Sequence, residues 1–454
     1  MKLEKQKIVV VGLARSGLAV ARFLNAQGAQ VTVTDQAAEE VLGNFVDEAR
    51  KLAIQLELGG HRAASFEAAD LIVISPGVPH TIEPLVKARR RGIPVIGEIE
   101  LAARFIRKPI VAVSGTNGKT TTTELLGRML AVAGMRVFVG GNIGNPLIEI
   151  AGRDADLDVI VAEISSFQLD TTERFRPHVA VMLNITPDHL DRYRSVADYA
   201  LSKGLLFRNQ GPDDFAVCHG GDHLIQEQCR NIQAQLLNFY PQPPTGDARP
   251  GAIITPRQIA LFIPGRLEGR IDLSRTALIG PHNRENIAAA CLAAAAAGAD
   301  LPAVQKALDE FQPLAHRLER VATVNGVHFV NDSKATNVDA VVRALECFDQ
   351  PVVLIMGGRN KGYDFAPLFN HVAVRVKRLI VMGESRDEIL AALAQAPAEG
   401  AEIATDMADA VRRGYAAAKP GETVLLSPAC ASFDMFANYA QRGEVFRRAA
   451  GALA

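Results

Sequence analysis

Lys119 stands between Val111-Ala-Val-Ser-Gly-Thr-Asn-Gly118 and the threonines Thr120 to Thr123. An apolar run of that kind reads as a buried strand. A glycine turn, a lysine and hydroxyls at a helix start follow it. Proteins hold nucleotide phosphates in this way: backbone N–H groups and a helix N-terminus face the anion, a lysine neutralises it, and a hydroxyl reaches Mg²⁺. Gly115, Thr116, Asn117, Gly118, Lys119, Thr120 and Thr121 are therefore candidates for binding ATP, with Thr120 as the Mg²⁺ hydroxyl. The spacing departs from the usual loop, because Val113 stands six residues before the lysine, where a glycine is usual. Two readings follow: a shorter loop of a distinct ATP-binding class, or a coincidental glycine turn. A lysine at a helix start opposes the helix dipole unless an anion is present, which favours the first. Thr121 to Thr123 serve the ligand or merely cap and pack.

Further polar groups follow apolar runs. Glu163 ends Asp158-Val-Ile-Val-Ala162, and a carboxylate there suits Mg²⁺ as well as an ordinary strand-end acid. His189 lies in Asn184-Ile-Thr-Pro-Asp-His-Leu-Asp-Arg-Tyr193, where it ligates a second Mg²⁺ or is structural. Lys203, in Tyr199-Ala-Leu-Ser-Lys203, reads by itself as a surface lysine. Asp332 and Lys334 sit in Asn331-Asp-Ser-Lys-Ala-Thr-Asn337, and Lys361 in Gly357-Gly-Arg-Asn-Lys-Gly362. Asn, Asp, Ser and Gly are normal turn formers, yet polar loops after three successive strands suit a nucleotide and a charged substrate.

The elements that position these groups read as repeated strand–helix units, hence α/β architecture. Residues 8–12 and 31–35 read as strands flanking a Gly12–Gly17 turn, with Asp35 at the end of the second. This is dinucleotide-fold grammar, although Ala14 replaces the middle glycine of the usual fingerprint. Leu71–Ile74 reads as the third strand, and Pro94–Ile96 as a further short one. The expected domains are 1–107, Rossmann-like; 108–312, a P-loop-type ATPase domain with a mostly parallel sheet; and 313–454, again Rossmann-like. Residues 281–311 read as helical and 240–248 as a surface loop. A chain of 454 residues is too long for one core, which agrees with several domains. A net charge of −1 excludes bulk binding to nucleic acid, while leaving room for a local basic site. Five scattered cysteines without CxxC spacing suggest reduced thiols in a cytoplasm. No apolar stretch is long enough to span a membrane, and the N-terminus lacks the pattern of a signal peptide.

ATP, Mg²⁺ and charged co-substrates imply a reaction class. Transfer of the γ-phosphoryl group to a carboxylate yields an acyl phosphate, which an amine attacks. Acyl phosphates hydrolyse, so a third domain closing over the second would exclude water.

Seven segments together closely resemble the Mur ligases: Gly115–Thr121, Glu163–Leu169, Asn184–Tyr193, His282–Asn286, His316–Glu319, Asn331–Asn337 and Ser427–Ser432. They occur in family order over nearly the whole chain. The second, sixth and seventh are most similar to members that add D-glutamate to UDP-N-acetylmuramoyl-L-alanine. The Asp-Asn-Pro-Arg segment expected of the diamino-acid-adding member is absent. The resemblance implies roles. Lys119 and Thr120 serve phosphate and Mg²⁺. Glu163, His189 and a carbamylated Lys203 hold two Mg²⁺ ions. Asn142, Ser165 and Gln168 position the nucleotide sugar. Asn283 and Asn286 face adenine, and Arg317 and Asp332 contact ATP. Lys334, Thr336, Lys361, Ser432, Phe433 and Tyr439 form or line the D-glutamate site. The first domain holds UDP through Arg15, Ser16, Asp35, Gln36, Ser75 and Gly77. Two positions depart from the family: Ala37 replaces an arginine that stacks on uracil in some members, and Arg359 stands where some carry an acid. A cytoplasmic monomer is expected. The competing functions are another amide ligase of the superfamily, such as a folylpolyglutamate synthetase, and a nucleotide-binding relative without catalysis.

Overall fold

A computed structural model describes residues 1–190, 192–242 and 250–453. Most of the loop expected over 240–248 thus lies outside the described residues. Among those described, three sheets follow one another along the chain. Their central strands are near-continuous apolar runs, the pattern of parallel sheets covered on both faces.

The first sheet has the order β3-β2-β1-β4-β5, all parallel. Its strands are β1 (Lys7–Val11), β2 (Gln30–Thr34), β3 (Gln55–Glu57), β4 (Leu71–Ile74) and β5 (Val95–Gly97). Leu71–Ile74 is therefore the fourth strand, not the third. The short edge strand β3 carries too few residues to show a pattern. The helix Arg15–Ala26 packs so closely on β1 that a Cβ at Gly17 would lie 1.8 Å from the Gly12 carbonyl oxygen, so glycine is required there.

The second sheet runs β14-β13-β12-β11-β10-β9-β6-β8-β7. Its strands are β6 (Ile110–Ser114), β7 (Val137–Gly141), β8 (Val159–Glu163), β9 (Val179–Met182), β10 (Phe215–His219), β11 (Gln235–Tyr240), β12 (Gly251–Ile254), β13 (Gln258–Ile263) and β14 (Leu267–Asp272). The pairs from β7 to β12 are parallel, and β13 and β14 close the far edge as an antiparallel hairpin. The helix Lys119–Val132 follows β6 directly. The segment expected to be helical over 281–311 is two helices, Pro281–Ala296 and Leu301–Glu310. Its first helix is buried along almost its whole length, and its run of alanines lets the backbone lie close to the sheet. The cysteines are free, although the fold brings the buried Cys218 and Cys229 sulfurs to 3.1 Å.

The third sheet runs β15-β16-β20-β17-β18-β19 and is parallel except for the β15–β16 hairpin. Its strands are β15 (Glu319–Val324), β16 (Val327–Asn331), β17 (Val352–Gly357), β18 (Val376–Met382), β19 (Ala401–Ile403) and β20 (Thr423–Leu426). No helix among the described residues is long and apolar enough to cross a membrane.

The two joints between domains differ in chemistry. One apolar cluster runs from Ile8 and Val31 through Ile99 and Leu147 to Ala216, so the first domain shares a core with the second. Buried carboxylates reinforce that joint: Glu98 accepts the Ile148 N–H at 2.8 Å, and Glu100 accepts those of Glu173, Arg174 and Phe175. The third domain has separate cores on either face of its sheet. It meets the second domain through polar contacts described below, the kind of interface across which domains move.

Candidate active site

The ends of β6, β8 and β9 face one rim, which is where open α/β sheets bind ligands. Gly118 caps the helix Lys119–Val132 with φ +84°, and a Cβ there would lie 2.2 Å from Asn286 Oδ1. Lys119 Nζ donates to the carbonyls of Gly115 (2.9 Å) and Thr116 (2.8 Å). Lys203 Nζ donates to the same Gly115 carbonyl at 2.8 Å. Lys203 is thus no surface lysine: it is 1% exposed, with its Nζ 4.7 Å from the Tyr199 ring centroid. Burial, and next the Lys119 charge, hold its amine well below the ordinary lysine range. Burial also lowers Lys119, against the opposing charges of Glu163 and Asp188.

Glu163 ends β8 and is 2% exposed. Asn142 Nδ2 donates to its Oε1 at 2.8 Å, while the buried Oε2 has no hydrogen-bond partner among the described residues. A buried carboxylate oxygen left unpaired is costly, and it is the type of atom a hard cation takes. No group of three or more His, Cys, Asp or Glu among the described residues could hold a metal. Among the described residues, the unpartnered Glu163 Oε2 is thus the one observed feature of this rim that fits Mg²⁺. His189 sits at φ +56°, its ring 4.7 Å from Phe167 and its Nε2 3.7 Å from Asp188 Oδ2.

A cleft runs from this loop to the third domain, lined by Asn117, Gly118, Asn283, Asn286, Arg317, Asp332 and Lys334. Asn283 Nδ2 donates to the Ile279 carbonyl (2.7 Å), and Asn286 Nδ2 to Asn283 Oδ1 (3.2 Å). The two asparagines thereby orient one another. Arg317 crosses the joint and donates to Thr120 Oγ1 at 2.7 Å, leaving that hydroxyl a second lone pair. Asp332 accepts from Ser427 Oγ (3.0 Å), and burial raises its carboxyl to about 7. Lys334 lies 3.9 Å over the Tyr439 ring, and burial, then the Arg317 charge, lowers it to about 8. Ser432 is buried and Thr336 half-buried on the same rim, and the Lys361 charge acts on Asp188. Phe433, expected to line the amino-acid site, is 63% exposed. Arg359 pairs bidentately with the exposed Glu384, so its charge is partnered there.

On the first domain, Asp35 accepts the N–H groups of Leu13 (2.6 Å) and Ala37 (2.8 Å), so it shapes the Gly12–Ser16 turn. Ser75 Oγ donates to the Gly12 carbonyl, and Arg192 reaches the Gly77 carbonyl from the second domain. Arg15 donates to Asn145 Oδ1, beside a half-buried Ser16 and an exposed Gln36. Ser165 and Gln168 form a reciprocal capping box on the helix Ser166–Leu169, so they are engaged with each other.

Sequence reasoning missed Asp188, Asn337, Tyr363 and Arg442. Asp188 lay within a quoted motif and was passed over for its neighbour His189. Asn337 likewise closed the quoted segment Asn331–Asn337, while Tyr363 and Arg442 carry no local signal. Asp188 is 7% exposed and sits where the second and third domains meet. Its carboxyl lies below the usual range: burial opposes this, but the charge of His189 and the Tyr363 hydrogen bond outweigh it.

Residues 6–97 match the Mur ligase MurD-like N-terminal domain, 113–294 the Mur ligase middle domain, and 316–430 the Mur ligase glutamate ligase domain. The UDP-N-acetylmuramoylalanine–D-glutamate ligase of Desulfosudis oleivorans is 50% identical over 98% of this chain and 96% of its own. That of Desulfatibacillum aliphaticivorans is 49% identical over 100% of both. Among solved structures, MurF from Acinetobacter baumannii superposes with a TM-score of 0.62 at 16% identity, covering 99% of this chain and 91% of that one. The UDP-N-acetylmuramate–alanine ligase of Thermotoga maritima gives 0.61 at 20%, covering 98% and 100%. These structural likenesses show the fold alone.

Proposed function

The chain belongs to the Mur ligase family, and we propose that it joins D-glutamate to UDP-N-acetylmuramoyl-L-alanine, converting ATP to ADP and phosphate. The full-length identity to D-glutamate ligases carries this reading. The terminal carboxylate of the L-alanyl group takes the γ-phosphoryl group from ATP. The amine of D-glutamate attacks that acyl phosphate, phosphate leaves, and an amide forms with loss of a proton from the amine.

The chain's residues divide the work. Asn283 and Asn286 hold adenine, and Gly115–Thr121 with Lys119 cradle the phosphates. Arg317 brings a cation from the third domain to Thr120, so closure adds positive charge where phosphoryl charge develops. Lys203 is carbamylated. Burial favours the neutral form of its amine, the form that adds to CO₂, losing a proton and exchanging a cation for two oxygens. Thr120, Glu163, His189 and that carbamate hold two Mg²⁺ ions, which when bound neutralise phosphate charge and orient the carboxylate. Arg15, Ser16, Asp35, Gln36, Ser75 and Gly77 hold the UDP end, with Asn142, Ser165 and Gln168 along the sugar. Lys334, Thr336, Lys361, Ser432, Phe433 and Tyr439 hold D-glutamate. Lys334, lowered to about 8, remains mostly a cation at neutral pH and suits a substrate carboxylate.

The deciding assay supplies ATP, Mg²⁺ and UDP-N-acetylmuramoyl-L-alanine with a panel of amino acids. Phosphate release that requires D-glutamate, with a product heavier by one glutamyl residue, is expected. Turnover with L-glutamate on a folate, or none with any acceptor, refutes the reading.

A further inference from the structure

We propose that Tyr363 is a positioning residue of this ligase, gripping Asp188 from the third domain so that the His189 turn is set only on closure. The inference rests on the ligase reading above and adds to it a residue outside the family's motifs as recognised in this sequence. Asp188 and His189 form a turn after β9 in which His189 takes φ +56°. A non-glycine residue pays for that conformation unless its surroundings hold it. Asp188 does so from within the turn, since its Oδ1 accepts the His189 N–H at 2.8 Å.

The same carboxylate is the anchor for the third domain. The Tyr363 hydroxyl donates to Asp188 Oδ1. Asn337 Nδ2 donates to Asp188 Oδ2 at 3.3 Å and reaches Asn117 Oδ1 of the phosphate loop at 3.2 Å. Asn117 Nδ2 in turn donates to Asp339 Oδ2 at 2.8 Å. Among the described residues the buried apolar cores of the third domain are clusters separate from that of the second. Their registry therefore rests on directional polar contacts, which weaken steeply with misalignment. Opening removes two donors from a carboxylate that is 7% exposed, and closing restores them. The hydroxyl of Tyr363 thus makes the geometry of the catalytic turn depend on the closed pose.

The test compares Tyr363→Phe, Asp188→Ala and the double variant in the full chain, beside the wild type. Tyr363→Phe keeps the ring, so the melting temperature stays within about 1 °C. Its kcat for D-glutamate ligation falls about tenfold, while its affinity for ATP stays within about twofold. The double variant is no slower than Asp188→Ala, because Tyr363 acts through that carboxylate. An unchanged kcat in Tyr363→Phe overturns the proposal, as does a loss that merely tracks a lower melting temperature. So does a double variant that loses the product of both effects. If Asp188→Ala does not fold, kcat against melting temperature in Tyr363→Phe decides. Wild-type turnover separates the two failures: without D-glutamate ligation by the wild type, the functional reading itself falls.

Discussion

Replacing Arg442 with Met should destabilise the third domain and loosen the amino-acid site together. Arg442 is 2% exposed and makes its hydrogen bonds to neutral groups. Its Nε donates to Ser333 Oγ (3.0 Å), its Nη2 to the Ser333 carbonyl (2.8 Å), and its Nη1 to the carbonyls of Cys430 (3.0 Å) and Gly357 (3.4 Å). One guanidinium therefore ties together the loops after β16, β17 and β20. Burial lowers it from 12.5 to about 10, which at 1.36 kcal/mol for each pH unit is a cost of about 3 kcal/mol. Hydrogen bonds from a charged donor return about 1.5–3 kcal/mol each. The short contacts thus outweigh the cost, leaving a net of about 3 kcal/mol. Methionine fills the stem's volume but leaves the Ser333 and Cys430 carbonyls without that donor, so a loss of about 2–4 kcal/mol is expected. Urea unfolding of the full chain measures it. In the ligation assay the KM for D-glutamate should rise about tenfold, while that for ATP changes less than about threefold, because most of the residues assigned to ATP, Gly115–Thr121, Asn283 and Asn286, belong to the second domain. A variant with wild-type stability and wild-type KM for D-glutamate would refute the reasoning.

Three further outcomes follow from buried groups. Lys203→Ala should lose more than about a hundredfold in kcat, and acetate or formate should restore part of it by standing in for the carbamate; a folded variant without rescue counts against carbamylation. Gly118→Ala puts a Cβ 2.2 Å from Asn286 Oδ1 at φ +84°, so ATP affinity should fall about tenfold or more, and unchanged binding by calorimetry would exclude the close approach. Burial raises Glu98 to about 7 from 4.5. The folded state then binds the extra proton between those values, so stability is full at the acid end and declines as pH rises from about 4.5 through about 7. Asp332 shifts the same way and adds to the decline. Glu98→Gln should narrow the difference in melting temperature between pH 5 and pH 8; an undiminished difference would show that Glu98 does not titrate as argued.

The strand, turn and helix around Lys119 were legible because each signal is local: an apolar run, glycines that free the backbone, and hydroxyls at a helix start. The same holds for β8 with Glu163 and for β16, β17 and β20 with their polar loops. The edge strands β3, β15 and β19 were not legible. Two are three residues long, and such edges form only because a neighbouring strand offers hydrogen bonds. Lys203 shows the limit most clearly. A lysine in Ala-Leu-Ser-Lys has no local mark of burial, and its amine is depressed only because folding buries it and sets it beside Lys119.

By itself, then, the order of residues determined which groups end each strand and so which chemistry the rim can carry, because strand ends and helix starts are properties of neighbouring residues. Tertiary structure alone decided which of those groups meet. The contacts of Tyr363 with Asp188, Arg317 with Thr120, and Arg442 with three loops span between 12 and 197 residues of chain. They depend on how three sheets are placed in space, and no local pattern records that placement.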